Sequence, residues 1–110
     1  MKLAQLLENS DFTLLTSGSD TSREITGCHL SDLLSWVMAH AKEGDAWVTI
    51  MSHVNIIAVA TLLDLALIIV PEGEEVPEDT VTKASEEGVA IVSTELTAYE
   101  VAKVLAGAGV

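Results

Sequence analysis

Apolar positions along the chain change period several times, and each change marks an element. Leu3, Leu6 and Leu7 fall at helical spacing before the polar Asn9-Ser10-Asp11, which predicts a short amphipathic opening helix. Phe12 to Leu15 reads as a first strand, and the polar run Thr16 to Ser22 as a loop leading into a second short strand around Glu24 to Thr26. Helical pattern resumes at Ser31, with Leu33, Leu34, Val37, Met38 and Ala41 on one face, Ser31 or Asp32 as cap, and Gly44 just past the end. The strand Ala46 to Met51, the helix Asn55 to about Leu63 and the strand Leu65 to Val70, closed by Pro71, form one βαβ unit with a right-handed crossover. After the acidic loop Glu72 to Asp79, Pro77 fits a first helical turn, Val81 and Ala84 face inward, and Gly88 ends that helix. Val89 to Val92 is the last strand. Thr97-Ala98-Tyr99-Glu100 has capping-box spacing and opens a terminal helix with Ala98, Val101, Ala102 and Leu105 as its buried stripe.

This alternation predicts a single α/β domain over residues 1–110: a three-layer α/β/α arrangement around a mostly parallel sheet of four or five strands. The junction at Ser52, His53 and Asn55, where strand period gives way to helix period, would lie on the carboxyl edge of the sheet. Ligands of such folds bind at that edge.

Composition sharpens the picture. Apolar residues make up 49% of the chain but aromatics only 4%, so Ala, Val, Leu and Ile must fill the core, as in parallel strands covered on both faces. A length of 110 residues suits one core. The net charge of -12 would repel phosphate backbones and anionic lipid, which argues against nucleic acid and membrane surfaces as partners. A lone cysteine, Cys28, permits no internal disulfide, and no secretory pattern opens the chain, so the expected location is cytoplasmic. The apolar run Ile56 to Val70 is too short for a membrane span and contains Asp64.

Each chemically suggestive group has a plain structural alternative. Cys28, His29, His40 and His53 follow no standard ligand spacing, so no metal or other cofactor is expected. Cys28 and His53 would form a nucleophile and base only if their loops converge; otherwise they are a small buried residue and a loop histidine. Ser52, His53 and Asn55 read either as ligand donors or as a helix cap and its approach. The acidic run follows no calcium-loop spacing and reads as a solvated loop. An anionic ligand would find donors between Arg23, Thr26, Gly27, Ser31 and Asp32 on one side and Ser52, His53 and Asn55 on the other, because both segments precede helix amino termini.

The helix Asn55 to Leu63 is apolar around most of its circumference, whereas a surface helix normally shows a polar face. Two covers would satisfy it: the chain's own terminal helices wrapping over it, or a second copy meeting it at Ile56, Ile57 and Ala60. The second option predicts a homodimer.

The segments Ser22-Arg23-Glu24-Ile25-Thr26-Gly27-Cys28, Ser31-Asp32-Leu33-Leu34-Ser35 and Val37-Met38 resemble the small stand-alone DRTGG-domain proteins. The resemblance continues through Trp47-Val48-Thr49-Ile50, His53, Asn55, Ala58-Val59-Ala60, Ile68-Ile69 and Ala84-Ser85-Glu86-Glu87-Gly88. Ser22 stands in place of the family's Asp, Cys28 in place of its second Gly, and Pro71-Glu72-Gly73 in place of Thr-Gly-Gly. The resemblance implies a dimeric, non-catalytic regulatory or interaction module, related in fold to the amino-terminal domain of the bacterial HPr serine kinase and to domains inserted in phosphotransacetylases and CBS-domain pyrophosphatases. It also implies partners such as histidine-kinase-like ATPases and iron-only hydrogenase subunits of anaerobic bacteria. No Gly-x-x-x-x-Gly-Lys-Ser/Thr phosphate loop is present, so kinase activity is not part of the expectation. The expected function is thus a homodimeric regulatory or protein-interaction module with a small ligand at the carboxyl edge; the competing class is an enzyme or redox protein using Cys28 and His53.

Overall fold

A computed structural model describes all residues, 1–110. The elements run α1 (Leu3–Leu7), β1 (Thr13–Leu14), β2 (Gly27–Leu30), α2 (Leu34–His40), β3 (Asp45–Val48), α3 (Asn55–Leu63), β4 (Leu67–Val70), α4 (Glu78–Glu87), β5 (Ile91–Ser93) and α5 (Ala98–Gly107). The five strands form one sheet in the order β1-β5-β4-β3-β2, parallel throughout except for β1, which pairs antiparallel with β5. From β2 to β5 each crossover moves one strand in the same direction. Crossovers of one hand then put α2, α3 and α4 on one face, leaving the other to α1 and α5. This is the three-layer, mostly parallel arrangement expected from the alternation of periods.

Strands β3 and β4 are buried at all eight positions because both faces are covered. Their side chains alternate between two cores. Ala46, Val48, Leu67, Ile69 and Val92 join Leu3, Leu6, Val101 and Leu105 on the α1/α5 side, whereas Trp47, Ile68, Val70 and Ile91 join Val37, Ile56, Ile57, Val59, Ala60 and Ala84 on the other. Trp47 is fully buried, and its indole Nε1 donates to the Ser31 carbonyl at 2.9 Å, so its one polar atom is satisfied.

The helix signals mostly act as their chemistry suggests. Thr97 caps α5 reciprocally: the Glu100 amide donates to Thr97 Oγ1 at 3.2 Å and the Thr97 amide to Glu100 Oε1 at 3.1 Å. Gly88 ends α4 at φ 73°. Pro77 is the cap residue immediately before α4, one position earlier than expected. The apolar run Ile56 to Val70 is divided by a left-handed turn at Asp64 into helix and strand, and no helix is long and apolar enough to cross a membrane.

Four expectations are corrected. The second strand is Gly27–Leu30, not Glu24 to Thr26: Ile25 is buried in the α1/α5 core and its amide donates to the Met1 carbonyl at 2.7 Å, while the Leu3 amide donates to Arg23 O at 3.0 Å. Residues Arg23 to Ile25 therefore bind the amino terminus of the chain instead of the sheet. Helix α2 starts at Leu34, so its inward stripe is Leu34, Val37 and Ala41, and Leu33 and Met38 are 61% and 48% exposed. Gly44 does not end α2, which stops at His40; it takes φ 84° in the turn entering β3. Finally, Ile56, Ile57 and Ala60 are 0%, 2% and 2% exposed, covered by the sheet and by α2 and α4 of the same chain, so they are not available to a second copy. The all-round apolar pattern of α3 arises because a middle helix in a three-helix layer has neighbours on three sides.

Ile57→Ala should lower stability by about 2–5 kcal/mol in a urea titration, the cost of emptying a packed site. A change below about 1 kcal/mol would contradict its burial, since even modest cavities cost that much.

Candidate functional site

The loops leaving β2, β3, β4 and β5 meet at the carboxyl edge. Asp32, two residues past β2, reaches sideways: its Oδ1 accepts from Thr49 Oγ1 at 2.8 Å and from the Ile50 amide at 3.0 Å. Thr49 Oγ1 in turn accepts from the Met51 amide at 3.1 Å. From the other side the buried Thr80 hydroxyl of α4 donates to the Ser52 carbonyl at 2.8 Å. The β3–α3 loop is thus held between its two neighbours before α3 begins. Asn55 is the first helical residue and makes no capping bond, and His53 and Asn55 are both exposed.

Of the eight residues expected at one site, the structure places Ser31, Asp32, Ser52, His53 and Asn55 at this edge. Arg23, Thr26 and Gly27 lie at the opposite, amino edge, about 13 Å away along a four-residue strand. The separation follows from the shift of β2: the segment Arg23 to Gly27 precedes the strand instead of ending it. Arg23 is engaged there. Its guanidinium donates to Asp64 Oδ1 at 3.0 Å and to the Asp64 carbonyl at 2.9 Å, closing the carboxyl end of α3, where a cation is favoured. The hydrogen bond and charge of Arg23 hold the exposed Asp64 carboxyl below its usual range. Gly27 permits the close approach of the buried Asp45 carboxylate, which a β-carbon would strike.

Two cavities open at the carboxyl edge. A cleft of about 210 Å³ is lined by Ser31, Asp32, Thr49, Pro71, Glu72 and Ala98. A depression of about 430 Å³ beside it is lined by Asp11, Thr13, Gly73, Glu74, Glu75 and Glu95. No basic side chain lines either. Glu72 and Gly73 are consecutive left-handed residues, at φ 62° and 67°, in the turn where the resembling family has two glycines. Their amides are already committed, to the Leu96 carbonyl at 2.8 Å and the Thr94 carbonyl at 3.0 Å, so this turn offers an anion no free donor from either.

Cys28 and His53 do not converge. Cys28 is mid-strand, half-buried against the α1/α5 core, whereas His53 precedes α3 in the opposite layer. Burial first, and the Asp45 carboxylate second, push the Cys28 thiol up to about 11. Cys28 and His29 are adjacent on one strand, so their side chains point to opposite faces and cannot share an ion. His40 stacks on Trp36 with ring centroids 4.0 Å apart. No three His, Cys, Asp or Glu residues come close enough together to hold a metal. His29 Nε2 is buried without a hydrogen-bond partner, a feature the sequence does not signal.

No family model and no curated protein matches the chain by sequence. Among solved structures it is similar to the CBS and DRTGG domains of the regulatory region of Clostridium perfringens pyrophosphatase, which were crystallised with the activator diadenosine tetraphosphate. The match has a TM-score of 0.73 at 13% identity and covers 93% of this chain and 44% of that one. The chain therefore spans less than half the length of this neighbour, and the likeness is one of fold.

Asp32→Ala should remove two hydrogen bonds from the β3–α3 loop, cost about 1–3 kcal/mol and shift the amide resonances of Thr49 to Met51. An unchanged spectrum there would show that the loop does not depend on Asp32. For Cys28 the sign follows from the raised pKa: the folded thiol keeps a proton that the free thiol releases near about 8.5, so stability is unaffected below that pH and falls as pH rises from there toward 11. Alkylation of folded protein should stay slow at pH 8.5 and accelerate only near 11; free-thiol rates at pH 8 would overturn the burial argument.

Proposed function

We propose that this domain is a non-catalytic regulatory module of the DRTGG type that acts through protein contact, first with a second copy of itself. The observation that carries this reading is the outer surface of α2. Leu33 and Trp36, three residues apart on one side of the helix, are 61% and 55% exposed, and α2 carries no Asp, Glu, Lys or Arg. An apolar patch of this kind on a small domain is a contact surface by default. In a chain of net charge -12, self-association is least opposed where charge is absent. The interface thus falls on α2 instead of on the buried Ile56, Ile57 and Ala60. Histidine-kinase-like ATPases and hydrogenase-associated proteins, the partners implied by the family resemblance, are the first heterologous candidates for the same surface.

A small ligand at the carboxyl edge is the second reading, favoured by the cleft at Ser31, Asp32 and Glu72 and by the nucleotide in the related regulatory region. The acidic lining requires a polyphosphate to arrive with its charge neutralised, so diadenosine tetraphosphate should bind with magnesium and weakly without it. The enzyme alternative has least support, because burial and the Asp45 carboxylate hold the thiol in its protonated form and His53 lies in the opposite layer.

Light scattering over a dilution series should give a dimer at high micromolar concentration, and Trp36→Ser should weaken it by about tenfold or more, as loss of a buried aromatic anchor does. Unchanged secondary structure in that variant separates the effect from unfolding. A strict monomer at every concentration would sink the homodimer. Amide shifts near Ser31, Asp32 and His53 on titration with the magnesium complex of diadenosine tetraphosphate would support the ligand reading; their absence would remove it.

A further inference from the structure

Helix α3 turns a second apolar surface to solvent, away from α2. Val54, Ala58 and Leu62 fall at four-residue spacing along one stripe, and Val54 and Leu62 are 47% and 68% exposed. With Ile57 beneath and Lys83 and Glu87 of α4 opposite, they line a groove of about 470 Å³. The small Ala58 leaves a hollow between the two larger residues. Lys83, the one cation of the groove, is paired with Glu87 at 3.0 Å, which holds its ammonium above the usual lysine range. Beyond it the outer face of α4 presents Glu78, Asp79 and Glu86. The surface is therefore apolar along α3, which carries no charge, and acidic along α4.

We propose that this groove docks an amphipathic helix of another protein, with apolar residues at about i, i+4 and i+7 facing α3 and lysine or arginine on the flank facing α4. The charge distribution selects this occupant. A basic flank meets Glu78, Asp79, Glu86 and Glu87, and the net charge of -12 steers it in. A second copy or an anionic lipid surface would meet like charge instead. The stripe from Val54 to Leu62 is about 12 Å long, room for two turns of such a helix. The proposal rests on the reading of the domain as a contact module, but it uses a different face from α2.

The test titrates a synthetic three-turn peptide with leucines at that spacing and lysines on one flank, followed by amide shifts, beside a counterpart with glutamates for lysines. Shifts should centre on Val54, Ala58, Thr61, Leu62 and Lys83, and the glutamate peptide should not bind. Leu62→Ser, at an exposed position that leaves folding intact, should weaken binding by about tenfold, the scale of a hot-spot truncation. Glu86→Lys should weaken it by about threefold and lessen its salt dependence. Ala58→Glu is the sharpest variant: it adds attraction for any basic peptide yet fills the hollow, so groove docking predicts weaker binding and diffuse charge attraction predicts stronger. Stronger binding by Ala58→Glu, shifts confined to Glu72 to Asp79, equal binding of the glutamate peptide, or no binding at millimolar peptide would each overturn the proposal. A change in self-association on Leu62→Ser would overturn it in favour of a second copy. Loss of the dimer in Trp36→Ser with peptide binding retained would show that the two faces are independent.

Discussion

Apart from Asp45, strands β3 and β4 are apolar on both faces, and a short chain must hide both. Asp45–Val48 and Leu67–Val70 are buried residue by residue. At about 25 cal/mol per Å² of apolar surface, exposing either face would forfeit a large part of a small domain's margin. Parallel strands need crossovers, and one-step crossovers of a single hand send three helices to one face. The other face is left to the chain ends, α1 and α5, which is why the amino-terminal residues are fastened through Leu3, Ile25 and Arg23 before the sheet begins. The middle helix of the three-helix layer inherits α2 and α4 as neighbours, and its unusual apolarity follows from that position.

The same constraint sorts charge. Helices α1, α2 and α3 contain no Asp, Glu, Lys or Arg, whereas α4 and the turns at the carboxyl edge hold most of the acids outside the amino-terminal loops. With one arginine, and that one closing α3 through Asp64, the edge where an α/β sheet ordinarily receives a ligand has no lysine or arginine, and the Glu72 and Gly73 amides of its acidic turn are already bonded. An anion is disfavoured there by electrostatics more than by shape. The apolar faces of α2 and α3 face no such obstacle, and this moves the functional argument from the edge of the sheet to its helical flank.

Long, strongly periodic segments were legible from the residues alone. The boundaries of α3, the glycine end of α4 and the capping box of α5 follow from local chemistry that tertiary structure does not override. The start of β2 was not legible, because Ile25 satisfies its hydrophobicity against α1 and α5 as readily as it would in a strand. That shift carried Arg23, Thr26 and Gly27 to the wrong edge of the expected site. The exposure of Leu33 and Met38 was equally hidden, since helical periodicity gives a face but not the first residue of the helix, and a start at Leu34 rotates the stripe to Leu34, Val37 and Ala41. The inward role of Thr80 had a signal, its four-residue spacing from the buried Ala84, but a polar residue in an acidic helix does not compete with Val81 on hydrophobicity alone.

The clamp at Asp32 gives the edge and the flank a common element. One carboxylate oxygen, from the loop that starts α2, fixes Thr49 and Ile50, from the loop that starts α3; Thr80 of α4 fixes the same loop at Ser52. All three helices of one layer are thereby tied at their amino ends to a single loop of six residues between β3 and α3. The layer is continuous below this loop through Val37, Ile57 and Ala84, which pack in one core and do not slide independently at interior packing density. Any contact that moves Thr49 to His53 must therefore shift α2 and α4 together, or break a hydrogen bond at Asp32 or Thr80. Two exposed apolar faces hang from that one layer, so the loop is the place where occupancy of either face has a physical route to the other.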